Sequence, residues 1–165
     1  MSSITIRHSN KEEYEAVSEV YAGFDTASNT LQTPFPSKDL WKSRLENIPQ
    51  GSYSLIAEKA GEIIGQIGFE TSKNPRRKHV ASFGMGVKES FHGQGVGSKL
   101  LSSVLDLADN WLNIKRIELV VYTDNEPAIN LYKKYGFVVE GESENYAFRN
   151  GKFVNAFHMA RVLNT

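Results

Sequence analysis

Three glycines at alternate positions, Gly93, Gly95 and Gly97, lie in the stretch Val87-Lys88-Glu89-Ser90-Phe91-His92-Gly93-Gln94-Gly95-Val96-Gly97-Ser98, between an apolar run and an amphipathic one. A loop of this kind lets an anion reach bare backbone N–H groups at a helix N-terminus, where the helix dipole favours negative charge. Glycines cost conformational entropy, and one would suffice to turn the chain, so three argue for a ligand rather than a bare turn. Spacing narrows the ligand. A dinucleotide fingerprint needs Gly-x-Gly-x-x-Gly with an acidic residue ending the next strand. Here the pattern is Gly-x-Gly-x-Gly and the next apolar run ends Val120-Val121-Tyr122. A Walker loop needs glycine followed by Lys and then Ser or Thr. Here Gly97 is followed by Ser98-Lys99, the reverse order.

The elements around this loop follow from periodicity. Ile4-Thr5-Ile6 reads as a first strand, and Asn10 with Glu13 as a capping box opening a helix with Tyr14, Val17, Val20 and Tyr21 on one face. Gly23 to Pro36 reads as irregular. Ser37 caps a second helix carrying Leu40, Trp41, Leu45 and Ile48. Tyr53–Lys59 and Ile63–Glu70 form a hairpin around Ala60-Gly61-Glu62, and Val80–Val87 is a fourth strand running into the glycine loop. Val96, Leu100, Leu101, Val104, Leu105, Ala108, Trp111 and Leu112 recur at helical period and make a third helix. Ile117–Tyr122 is a fifth strand. Pro127 opens a fourth helix at its first turn, and Gly136 closes it. Phe137–Tyr146 and Phe153–Val162 flank Asn150-Gly151, a hairpin turn signal. The order predicts an α/β chain, with helices on both faces of a central mixed sheet.

Composition excludes several classes. Lys plus Arg and Asp plus Glu are both 19, so the chain lacks the basic excess of a nucleic-acid binder. With 165 residues it is expected to form a single domain over 1–165. There is no cysteine, which removes disulfides, thiolate metal sites and a cysteine nucleophile; no metal is expected. No run approaches the roughly 18 apolar residues of a membrane span, and the N-terminal residues lack a signal-peptide core, so a cytoplasmic protein with no membrane partner is expected.

A second segment gives the loop its meaning. Asn125-Glu126-Pro127-Ala128-Ile129-Asn130-Leu131-Tyr132-Lys133-Lys134-Tyr135-Gly136-Phe137 follows the fifth strand. Together the two segments resemble the Gcn5-related N-acetyltransferase (GNAT) superfamily. Its acetyl-CoA loop reads Gln/Arg-x-x-Gly-x-Gly/Ala, and its next helix Asn-x-x-Ala-x-x-Leu-Tyr-x-x-x-Gly-Phe. His92 stands at the Gln/Arg position, a departure from the pattern. The resemblance implies a mostly antiparallel sheet of about seven strands with four helices.

The resemblance also implies a set of roles. The loop His92, Gly93, Gln94, Gly95, Val96, Gly97 and Ser98 would hold the pyrophosphate of acetyl-CoA, mainly through backbone N–H groups. Met85, Gly86 and Val87 would face the pantetheine arm, with a nearby N–H as oxyanion donor. Gly84 and Gly86 in a strand fit a close approach of ligand to backbone, or a bulge. Asn125 would hydrogen-bond pantetheine, while N-capping alone also explains it. Tyr132 would be the general acid for the departing thiolate, a phenol losing its proton near pH 10.

The base is not fixed by the resemblance. Ser82 stands where many relatives carry a carboxylate, and Glu118, His79 or a water chain are the candidates. Asn29-Thr30-Leu31-Gln32, Arg76-Arg77-Lys78-His79-Val80, Asp109-Asn110-Trp111-Leu112 and Tyr146-Ala147-Phe148-Arg149-Asn150-Gly151 are similar to stretches of bacterial L-amino-acid N-acetyltransferases of the YhhY type. Asn29, Thr30, Leu31, Gln32, His79 and Tyr146 are therefore the acceptor-side candidates. Phe35 and Trp41 are candidates for an apolar wall, and Arg76, Arg77 or Arg149 for the acceptor's carboxylate. The expected reaction moves an acetyl group to the α-amine of a small molecule, an L-amino acid such as Phe or Met. The alternatives are another amine (a phosphinothricin-like toxin, a polyamine, a protein N-terminus) or a catalytically silent acyl-CoA sensor. The final strands would suit a homodimer surface.

Overall fold

The structure, a computed structural model, describes residues 3–164. In chain order the elements are β1 (Ile4–His8), α1 (Tyr14–Val20), α2 (Phe24–Ser28), α3 (Lys38–Glu46), β2 (Ser52–Lys59), β3 (Glu62–Thr71), β4 (Val80–Val87), α4 (Val96–Asn110), β5 (Arg116–Tyr122), α5 (Glu126–Lys134), β6 (Val138–Arg149) and β7 (Lys152–Val162). The seven strands form one sheet in the order β1-β2-β3-β4-β5-β7-β6. β4 runs parallel to β5, whereas β1–β2, β2–β3, β5–β7 and β7–β6 are antiparallel. Each expected strand is present. Among the described residues five α-helices replace the expected four, because α2 forms inside the segment read as irregular.

Backbone contacts divide the chain into two compact units. One contains the chain up to Glu70 together with Gly84–Leu107; the other contains Thr71–Phe83 and the chain from Ala108.

In the first unit, Val17, Val20, Tyr21, Trp41, Leu45, Ile56 and Ile63 are buried together. Burying each aliphatic side chain is worth about 1.5–3 kcal/mol. Val96, Leu100, Leu101, Val104 and Leu105 form the buried stripe of α4. Gly65 lets that helix sit close on β3: a Cβ there would lie 3.0 Å from both Val96 and Leu100. A buried polar chain crosses the same core. The Tyr21 hydroxyl donates to Gln66 Oε1 at 2.6 Å, Gln66 Nε2 donates to Ser54 Oγ at 3.1 Å, and Ser9 Oγ donates to Ser54 Oγ at 2.9 Å. With partners along its length, this chain avoids the penalty of unpaired buried polar groups.

In the second unit, the β6–β7 hairpin turns at Asn150 (φ 46°) and Gly151 (φ 76°), the left-handed pair expected of Asn-Gly. β6 is irregular between Ser143 and Ala147. Asn155 on β7 serves that irregularity, accepting from the Asn145 N–H at 2.9 Å and donating to Glu142 at 2.9 Å. Arg161 on β7 grips Asp109 at the end of α4 with two bonds, of 3.0 and 2.7 Å. Trp111, read from periodicity as part of the apolar helix face, lies beyond that helix and is 76% exposed.

Candidate active site

The first unit holds the glycine loop. β4 ends at Val87, a single turn over Glu89–Phe91 follows, and α4 starts at Val96. Gly93 (φ 77°) and Gly95 (φ 81°) take the left-handed conformation, and a Cβ built on either meets no heavy atom within 4 Å. Both positions therefore need glycine for backbone conformation, and their backbone is open. The first intrahelical bond of α4 runs from Lys99 N–H to Gly95 C=O at 3.1 Å. The N–H groups of Gly95, Val96, Gly97 and Ser98 thus have no partner within the helix. No acidic side chain occupies the first turn of α4. A run of bare donors at the positive end of a 15-residue helix suits a diphosphate.

His92 supports this loop from the side. Its Nε2 donates to the Val87 carbonyl at 2.8 Å, and the Thr26 hydroxyl donates to the same oxygen at 2.7 Å. The two glycines expected to admit ligand have separate explanations. Gly84 has open space where a side chain would be, whereas Gly86 is covered by the ring of Tyr21. Close approach is the reason for Gly86, and the approaching group belongs to the protein.

The acceptor-side segment also lies in the first unit. Asn29 Nδ2 donates to Asp25 C=O at 2.9 Å, and Thr30 Oγ1 donates to Thr26 C=O at 3.0 Å; these bonds close the end of α2. Leu31 (69%) and Phe35 (96%) are exposed, and Gln32 is half-buried. Trp41 is not an exposed pocket wall: it is 5% exposed and stacks on Tyr21 at 4.9 Å.

The second unit holds Tyr132. It lies on α5, 8% exposed, in a cluster of edge-to-face rings with Phe83 (5.7 Å) and Phe137 (6.0 Å). Burial pushes its phenol well above the ordinary tyrosine value, so the group stays protonated at any working pH. Its hydroxyl has no hydrogen-bond partner among the described residues. Asn125 caps the same helix, with Oδ1 accepting the Ala128 N–H at 3.4 Å. Among the described residues its amide donors have no hydrogen-bond partner.

The acid–base candidates beside β5 are committed elsewhere. Glu118 Oε1 receives Arg77 at 2.5 Å and Arg116 Nε at 2.9 Å, and Arg116 also grips Glu140 through both terminal nitrogens. Burial alone would raise the Glu118 pKa, but the two guanidiniums overcome it and hold the carboxyl below its ordinary value. A carboxylate so held binds a proton less readily than a free one. His79 is exposed; its backbone carbonyl, not its ring, does structural work, accepting from Lys115 and Arg116 N–H groups at 2.9 and 3.1 Å. Tyr146 packs edge-on to His158 at 6.0 Å. Of the three candidate arginines, Arg77 pairs with Glu118 and Arg149 with Asp124, while the Arg76 guanidinium has no partner among the described residues. Sequence reasoning missed Thr26, whose signal is its long-range bond to Val87.

Fold and loop together define an acetyltransferase of the GNAT class, and the chain belongs to the Acetyltransferase (GNAT) family, which matches residues 15–137. It is 44% identical to the L-amino acid N-acetyltransferase AaaT of Escherichia coli (strain K12), covering 98% of this chain and 99% of that one. Among solved structures it is similar to a protein provisionally named a phosphinothricin N-acetyltransferase (TM-score 0.89, 25% identity, 99% and 100% of the two chains). It also shares its fold with yncA from Salmonella typhimurium, solved with its cofactor acetyl-CoA (TM-score 0.81, 21% identity, 98% and 94%). No helix among the described residues is long and apolar enough to cross a membrane.

Proposed function

We propose that this acetyltransferase moves the acetyl group of acetyl-CoA to the α-amine of a free L-amino acid, with phenylalanine and methionine as the acceptors to try first. The observation that carries the acceptor class is 44% identity over nearly the whole chain to an L-amino acid N-acetyltransferase. In this reading the Gly95–Ser98 N–H groups hold the pyrophosphate, and Met85–Val87 and the free amide of Asn125 serve the pantetheine arm.

An α-ammonium is largely protonated at neutral pH, so it loses its proton to water before attack. The amine nitrogen then bonds to the acetyl carbon, the carbon–sulfur bond breaks, and the nitrogen gives up its second proton to water, leaving a neutral amide. The departing thiolate takes the phenolic proton of Tyr132, and the tyrosinate is reprotonated from solvent. Tyr132 suits this part because burial keeps it neutral and its hydroxyl has no hydrogen-bond partner among the described residues. Arg76 is the arginine proposed for the acceptor's carboxylate. Thiol release from acetyl-CoA, followed over a panel of L-amino acids, polyamines, phosphinothricin and N-terminal peptides, tests the proposal. Release with amino acids alone supports it; release only with the other amines refutes the acceptor class.

A further inference from the structure

α2 is five residues long, too short to be stable by itself, so something outside it must hold it. It is held at two points, one on the turn after β4 and one at the Val87 carbonyl that ends β4. At its start, Gly23 lies under Glu89: a Cβ on Gly23 would fall 2.5 Å from Glu89 Oε2 and 3.0 Å from Glu89 Cβ. In its middle, Thr26, 4% exposed, donates its hydroxyl to the Val87 carbonyl at 2.7 Å, and His92 Nε2 donates to that carbonyl at 2.8 Å. Thr26 Oγ1 and His92 Nε2 stand 3.4 Å apart, both aimed at one oxygen. From this point α2 runs directly into Asn29, Thr30, Leu31 and Gln32, and Thr30 bonds back to the Thr26 carbonyl.

We infer that Thr26 and His92 are positioning residues that tie the acceptor segment to the cofactor loop through the Val87 carbonyl. Ordering of the loop from His92 to Ser98 thereby orders residues 24–32. The inference rests on the reading of the loop as the CoA site, but not on the identity of the acceptor. A cofactor bound to bare backbone donors immobilises the loop that carries His92. His92 then holds the Val87 carbonyl, and Thr26 cannot leave that oxygen without abandoning a buried donor. The coupling is reciprocal, so an acceptor that orders residues 24–32 tightens CoA binding by the same factor.

Amide deuterium exchange tests this directly, with CoA as the probe and calorimetry reporting whether CoA binds. The amides to follow are those of Ala27, Asn29 and Thr30, which bond to Gly23, Asp25 and Ala27 carbonyls. In the wild-type protein, saturating CoA is expected to slow their exchange by about fivefold, the worth of one hydrogen bond. Thr26→Val keeps the shape and removes the donor; CoA should still bind, but the slowing should vanish. Thr26→Ser should restore it. His92→Phe should weaken both CoA binding and the slowing, and His92→Gln, which can still donate, should recover both. CoA binding with no slowing in the wild type, or with equal slowing in Thr26→Val, overturns the inference and leaves the reading of the loop standing. Absence of CoA binding to the wild type overturns both.

Discussion

The ring of Tyr21 lies on Gly86 so closely that a Cβ at that glycine would come within 2.9 Å of Cζ and 3.0 Å of Cδ1. The other face of the arrangement is Trp41, stacked on Tyr21 at 4.9 Å with planes 15° apart. The Tyr21 hydroxyl is anchored on Gln66. The end of β4, which leads into the loop, is thereby braced by a buried aromatic pair. Gly86→Ala should destabilise the protein by about 1–3 kcal/mol, the usual cost of forcing a methyl group into a filled site. Chemical denaturation would measure it. The cost should shrink in a Tyr21→Leu background; an undiminished cost there would mean that the ring is not what the methyl group meets.

Tyr132→Phe keeps the ring contacts with Phe83 and Phe137 and removes only the hydroxyl. Turnover should fall by roughly a hundredfold or more, the scale of a lost general acid, with acetyl-CoA affinity little changed. The phenol also offers an optical check. Because burial raises its pKa, its tyrosinate absorbance should be missing from the native protein near pH 10 and appear on unfolding. The linkage sign follows: the neutral phenol costs nothing below the unfolded value, and native stability declines as pH rises past it, where the unfolded chain ionises first.

Arg116 joins Glu118 to Glu140, and both carboxyls sit below their ordinary value of 4.5. Glutamates with depressed native pKa values contribute stability above 4.5 that is lost as pH falls through the native values. Arg116→Gln should therefore lower the melting temperature at neutral pH. Its deficit against wild type should narrow as pH falls below 4.5 and through the lower native values of the two carboxyls. These groups are partly exposed, so salt should reduce the neutral-pH deficit as well.

Arg76→Gln tests recognition of the acceptor's carboxylate. The KM for L-phenylalanine should rise by about tenfold, typical of a lost charge-assisted hydrogen bond. The KM for phenethylamine, the same side chain without the carboxylate, should not move. Equal effects on both would remove Arg76 from recognition.

Local signals in the sequence fixed much of this. Asn150-Gly151 and two of the three loop glycines, Gly93 and Gly95, take left-handed backbone, and Pro127 opens its helix. Long-range partners were not legible. α2 carries no side-chain cap and little periodicity, and it forms where Thr26 finds a carbonyl 61 residues away. Glu118 alternates like any strand residue, and its ion pair with Arg77, 41 residues distant, leaves no local signal. Trp41 repeats at helical period with Leu45, which signals burial but does not say whether its neighbour is a ligand or Tyr21.

The proposed reaction moves the acetyl group of acetyl-CoA to the α-amine of an L-amino acid. Mass spectrometry of the product from purified protein, acetyl-CoA and an equimolar mixture of L-amino acids, polyamines and phosphinothricin tests it most directly. The predicted result is an N-acetyl-L-amino acid, phenylalanine or methionine foremost, formed in step with free CoA. Acetylated polyamine or phosphinothricin without any acetylated amino acid, or no acetylated product at all, would contradict it.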